Sequence, residues 1–111
     1  MEGLMKGDIV VVPFPYADFS SEKRRPALIV AKPFENEVIL TEITSKPRTD
    51  ACSISITDED LQEGHLKSFS VVRTNKIATL DKSIVIYKMG AINETKLREV
   101  EKSIIRIIRS G

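Results

Sequence analysis

Arg25, Glu42 and Thr44 stand at spacings that can bring a guanidinium, a carboxylate and a hydroxyl together. The three types complement one another around a phosphate. Arginine grips phosphate oxygens in a bidentate fork while fully charged. A threonine hydroxyl donates to a phosphoryl oxygen, and a carboxylate orients the arginine or accepts a proton. Together they suit phosphodiester chemistry in RNA, where the 2′-hydroxyl is the internal nucleophile and no metal is needed. More cations flank the group: Lys23 and Arg24 precede Arg25, and Lys46 and Arg48 follow Thr44. No cofactor is expected, because one His and one Cys make no zinc site and no clustered aspartates suggest magnesium.

A hairpin positions these residues. Pro26 to Lys32 and Glu37 to Thr44 read as strands, and Pro33-Phe34-Glu35-Asn36 supplies turn chemistry for a four-residue loop. Facing residues of an antiparallel pair have a constant sum. If Lys32 faces Glu37, then Ala31 faces Val38, Ile29 faces Leu40, Ala27 faces Glu42 and Arg25 faces Thr44. Residues two apart share a face, so Arg25, Ala27, Glu42 and Thr44 share the open end of the hairpin. Arg24 falls out of phase, toward the other face or the loop. A one-residue slip would separate the group. Arg25 can also simply pair with Glu42 across the hairpin as a structural contact.

The remaining elements are short. Asp8-Ile9-Val10-Val11-Val12 reads as a strand buried on both faces, stopped by Pro13 and Pro15. Residues 15–25 form a polar loop whose Phe14, Tyr16 and Phe19 neighbourhood can stack on bases, cover the core or meet a partner. Ser53 to Ile56 alternates as a short strand, and Thr57 to Leu61 reads as an N-capped helical turn ending near Gly64. Ser70 to Ile77 and Ser83 to Met89 are two further strands. From an Asn93 N-cap, Leu97, Val100, Ile104, Ile107 and Ile108 recur at helical spacing, as a core-packing stripe. The expected class is α+β, mainly β: a small, strongly bent antiparallel barrel of SH3 type with a C-terminal amphipathic helix.

The 111 residues suit one domain, spanning residues 1–111. Acids and bases nearly cancel at a formal +1, so attraction to nucleic acid must come from a local patch. The single cysteine, Cys52, excludes an internal disulfide and fits a reducing cytoplasm; it reads as a small buried residue. No apolar run resembles a signal peptide or a membrane span. His65, the only histidine, follows Gly64 in what reads as a surface loop.

With Gly7-Asp8-Ile9-Val10, Arg25-Pro26-Ala27-Leu28-Ile29-Val30, Ile43-Thr44-Ser45 and Ile77-Ala78-Thr79-Leu80-Asp81-Lys82 in order, the chain resembles the MazF/PemK family from Gly7 to about Ile108. These are toxins of type II toxin–antitoxin systems. The resemblance implies a homodimeric SH3-like barrel. It implies metal-independent cleavage of single-stranded RNA at short sequences, leaving a 2′,3′-cyclic phosphate and a 5′-hydroxyl. It also implies a cognate antitoxin partner, with an extended, acidic segment. Arg25 would move protons and stabilise the phosphorane charge, assisted by Thr44. Glu22 stands near a loop glutamate that supports the arginine in many members, so Glu22 and Glu42 are both candidate proton acceptors. Arg24, Ser45, Lys46, Arg48, Arg73 and Asn75 are candidate RNA contacts. Two positions depart from the family pattern: Ala78 replaces an arginine common in many members. Asn75 stands where some members pair an aspartate with the arginine here at Arg73, and asparagine cannot act as a base.

Two other functions fit the same fold class. A toxin like CcdB shares the barrel and inhibits DNA gyrase by binding. Its key contacts lie at the C-terminus, where this chain has Ile107-Ile108-Arg109-Ser110-Gly111 and no tryptophan. A catalytically silent RNA-binding module would bind RNA in a salt-dependent way without cutting it.

Overall fold

The computed structural model describes residues 3–13 and 24–110. Glu22, Lys23 and the aromatic residues Phe14, Tyr16 and Phe19 lie outside the described residues. The strands are β1 (Asp8–Val12), β2 (Arg25–Phe34), β3 (Glu37–Thr44), β4 (Ser53–Ile56), β5 (Leu61–Gly64), β6 (Ser70–Asp81) and β7 (Tyr87–Ile92), followed by helix α1 (Glu94–Arg109). All pairings are antiparallel, in the order β4-β6-β3-β2-β1-β7-β5. The mainly-β class with a terminal helix holds, but the sheet has seven strands among the described residues, β5 being the one not read from the sequence, and it is not closed.

The differences from expectation are local. Asp58–Asp60 forms a 3-10 turn that leads into β5 rather than ending a helix. Gly64 makes that strand possible. It sits at φ +81° opposite Gly90 of β7, so closely that a Cβ on either would collide with the other strand's backbone. Strand β6 runs on to Asp81, a 3-10 turn covers Lys82–Ile84, and the last strand begins only at Tyr87. Asp81 caps that turn by accepting from Ser83 N at 2.9 Å, which uses residues that read as the start of a strand.

Strand β1 lies inside the sheet, next to the central β2. All five of its residues are buried, with β2 on one side and β7 on the other. Alternate residues feed two cores. Val10, Val12, Ala27, Ile29, Val38 and Leu40 pack on one face. Ile9, Leu28, Ile43, Val72 and Val100 pack on the other, where α1 docks. Burying a side chain of this size contributes roughly 1.5–3 kcal/mol, so β1 and β2 are fixed by their alternation. Asn93 caps α1 by accepting from Lys96 N at 2.8 Å. The helical stripe leaves the core near its end, where Ile108 is 74% exposed.

The hairpin register is met at one end and not at the other. The turn is the two-residue Glu35-Asn36, and Phe34 faces Glu37. Two irregularities then shift the pairing so that Ile29 faces Leu40 and Ala27 faces Glu42, as counted from the sequence. The ladder ends there. Arg25 and Thr44 lie two residues further out.

Candidate active site

Strand β2 begins at Arg25, which pairs with Val12 of the buried β1. Proline at position 26 removes one ladder donor but fixes the entry into the strand. The arginine is therefore rooted against a fully buried strand while its side chain stays one-third exposed. Thr44 closes β3 and is buried. Its hydroxyl oxygen accepts from Lys46 N at 3.2 Å, which leaves its own proton free to donate.

Arg25 and Thr44 line two cavities. The smaller, about 260 Å³, also takes Glu42, Arg73 and Lys76 into its wall, with Lys46 and Arg48 at the loop side. The larger, about 620 Å³, is a groove of mixed character. Arg24, Ser45, Lys46 and Lys67 give it polar groups, while Pro26, Ile43, Tyr87 and Met89 give it apolar surface. Glu42 Oε1 lies 3.7 Å from Arg25 Nη1, an ion pair longer than a strong hydrogen bond.

Arg73 reaches the site through a bulge. From Glu37–Asp81 to Thr41–Ile77 the β3–β6 pairing is regular; then the register shifts so that Glu42 faces Arg73, and Thr74, Asn75 and Lys76 form a bulge on β6. Thr74 anchors this bulge. Its N–H and its hydroxyl both donate to Cys52 O, at 2.9 and 3.0 Å, and its hydroxyl meets Ser103 Oγ of α1 at 2.7 Å. Arg73 is 8% exposed, and its Nη1 lies 3.6 Å from Asp50 Oδ2. Asp50 is held below its ordinary value, chiefly by the Ser53 hydroxyl, then by Cys52 N–H and the Arg73 and Arg48 guanidiniums. The Nε atoms of Arg25 and Arg73 are buried without a hydrogen-bond partner among the described residues.

Of the candidate residues, Arg25, Glu42, Thr44, Lys46, Arg48 and Arg73 thus come together, and Arg24 and Ser45 line the adjoining groove. Asn75 does not join them. It is exposed on the bulge and lines neither cavity. His65 is exposed, 3.4 Å from Asp58 Oδ2, and lines neither cavity. Cys52 is only partly buried. Sequence reasoning missed Lys76, Lys67, Tyr87 and Met89. For Lys76 one local trace exists: Arg73-Thr74-Asn75-Lys76 is a polar break between Val71-Val72 and Ile77-Ala78. The other three come from segments whose distance from the hairpin no local pattern encodes.

The profile of the family described as PemK-like, MazF-like toxin of type II toxin–antitoxin systems matches residues 5–108. No curated protein matches the sequence. Among solved structures the chain is similar to an endoribonuclease in complex with its cognate antitoxin from a mycobacterial species. The TM-score is 0.76 at 15% identity, covering 96% of this chain and 95% of that one. It is also similar to the Mycobacterium tuberculosis toxin MazF-mt6, with a TM-score of 0.71 at 19% identity over 94% and 98% of the two chains. MazF from Deinococcus radiodurans gives 0.72 at 20% identity over 94% of each. At these identities the structural likeness is one of fold, and the assignment rests on the family profile, which spans nearly the whole chain. The chain belongs to the PemK-like, MazF-like toxins of type II toxin–antitoxin systems.

Proposed function

We propose that this toxin is a metal-independent endoribonuclease that cuts single-stranded RNA, with Arg25 and Thr44 at the reacting phosphate. The observation that carries this reading is their shared position in the walls of two adjoining cavities, beside a carboxylate. The 2′-hydroxyl attacks the adjacent phosphorus and the bond to the 5′-oxygen breaks, giving a 2′,3′-cyclic phosphate and a 5′-hydroxyl. Arg25 stabilises the charge that grows on the phosphoryl oxygens, and the Thr44 hydroxyl donates to one of them. Glu42 holds Arg25 and is the carboxylate at hand for the 2′-hydroxyl proton. The departing 5′-oxygen takes a proton from water in the open groove. Arg24, Ser45 and Lys46 follow the RNA along the larger groove, where Tyr87 offers a ring to a base.

The toxin acts as a homodimer in the cytoplasm, held in check by a cognate antitoxin with an acidic segment that binds the cationic site; a similar toxin solved with its cognate antitoxin supports the antitoxin partner. One direct test is incubation of the purified protein with a long single-stranded RNA in EDTA. Wild type should release fragments ending in cyclic phosphate. Arg25→Ala should lose roughly 10²–10³-fold in rate, the scale of one lost transition-state donor. No cutting by wild type, or undiminished cutting by Arg25→Ala, overturns the reading.

A further inference from the structure

We infer that the smaller cavity seats a second, non-reacting phosphate of the RNA chain, next to the one being cut. This rests on the reading of the protein as a ribonuclease, but its grounds are the cavity's own. The residues described around it are Arg25, Lys46, Arg48, Arg73 and Lys76, with Glu42 the single acid and Thr44 the single hydroxyl. Unlike the larger groove, it has no apolar or aromatic residue among them, so it suits an anion and offers a base nothing to stack on.

Arg73 makes the case specific. It is more than nine-tenths buried, its contact with Asp50 is 3.6 Å long, and its Nε is buried without a hydrogen-bond partner among the described residues. A guanidinium withdrawn from water with donors unused is costly unless a ligand takes them up. Arg25, which lines the same cavity, likewise has a buried Nε without a hydrogen-bond partner among the described residues. A phosphate oxygen can satisfy such donors bidentately. The bulge at 74–76 also holds Arg73 in place before any ligand arrives, so little entropy is lost on binding. Arg25 and Thr44 line both cavities. A chain whose reacting phosphate rests on that common wall therefore presents its neighbouring phosphate to the smaller cavity, and its sugar and base to the larger groove.

The test uses short single-stranded RNAs, fully 2′-O-methylated so that they cannot be cut, with one uncharged methylphosphonate linkage moved stepwise along the chain. Binding to the intact protein is read by fluorescence anisotropy. The cut position is mapped separately on unmodified RNA. At one linkage beside the cut, removing the charge should weaken wild-type binding about tenfold or more, the scale of a charge-assisted hydrogen bond. That penalty should fall to about twofold or less in Arg73→Gln. Arg73 is buried, so Arg48→Gln, on the exposed loop, provides a second variant; it should bind less tightly and show a reduced penalty at the same linkage. If no linkage beside the cut is singled out, or if the penalty persists undiminished in Arg48→Gln, the second seat is wrong. Binding with the single-linkage signature but without any cutting of unmodified RNA overturns the ribonuclease and leaves an anion seat. Cutting without the signature overturns the seat alone.

Discussion

The β2–β3 and β3–β6 ladders are both irregular, and the irregularities act in opposite ways. In the first they lie near the hairpin tip and are spent before the site is reached: Phe34 faces Glu37, yet Ala27 faces Glu42 as a plain count requires. In the second, three residues loop out immediately before the site. Had the pairing of Thr41 with Ile77 simply continued, Glu42 would face Lys76 and Thr44 would face Thr74. The bulge instead brings Arg73 opposite Glu42 and still leaves Lys76 in the cavity wall. One ladder delivers the site despite its turn; the other builds the site by breaking its register. The lesson is that the buried alternation of β2 and β3 governs register more strongly than turn length does, whereas a bulge with a dedicated anchor can reset it.

The anchor is the place to break this comparison with the largest effect. Thr74→Val keeps the shape but strips the hydroxyl from Cys52 O and leaves Ser103 Oγ buried without its 2.7 Å partner. The expected cost is about 1–3 kcal/mol in urea unfolding. Adding Ser103→Ala should recover part of it, because removing both partners of a buried hydrogen bond costs less than orphaning one. A double mutant no better than Thr74→Val would show that the hydroxyl pair does not hold the bulge.

A smaller effect sits on the far side of Arg73. The Asp50 carboxyl is held below its ordinary value of 3.8, chiefly by Ser53. A depressed carboxyl stabilises the fold above its unfolded value and loses that contribution as pH falls through its folded value. Wild type should therefore melt higher than Asp50→Asn at neutral pH, and the gap should close below pH 3.8. A gap that widens on acidification would contradict this assignment. Asp50 is exposed, so the difference should be modest and weaken with salt.

The smallest effect belongs to the hairpin tip. One glycine inserted between Glu35 and Asn36 should cost about 0.6 kcal/mol or less. It should also leave RNA cutting intact, because the register near Glu42 does not depend on the turn. Loss of cutting in a stably folded insertion variant would return control of the register to the turn.

The parts of the molecule legible in the sequence are those with a repeating burial pattern. β1 and the Ala27–Leu40 region alternate between two cores, and α1 announces its start through Asn93. The edges were less legible. β5 needs two glycines that meet from separate segments, Gly64 and Gly90, and neither signals the other. The strand read at Ser83 to Met89 failed at its start because Asp81 caps a local turn there, a side-chain bond that competes with extended backbone.

The sequence by itself determined the family, the strand cores, the terminal helix and the meeting of Arg25, Glu42 and Thr44. The family follows from the order of motifs spread from Gly7 to Lys82, and the others from local periodicity or from residues within one hairpin. Only the tertiary structure decided that Arg73 and Lys76 complete a cationic cavity while Asn75 stays outside it. That choice depends on a bulge pinned by Cys52 and by Ser103 of a helix about thirty residues away. Hydrogen bonds over such separations leave no periodic trace in the chain, because the partner supplies half of the information.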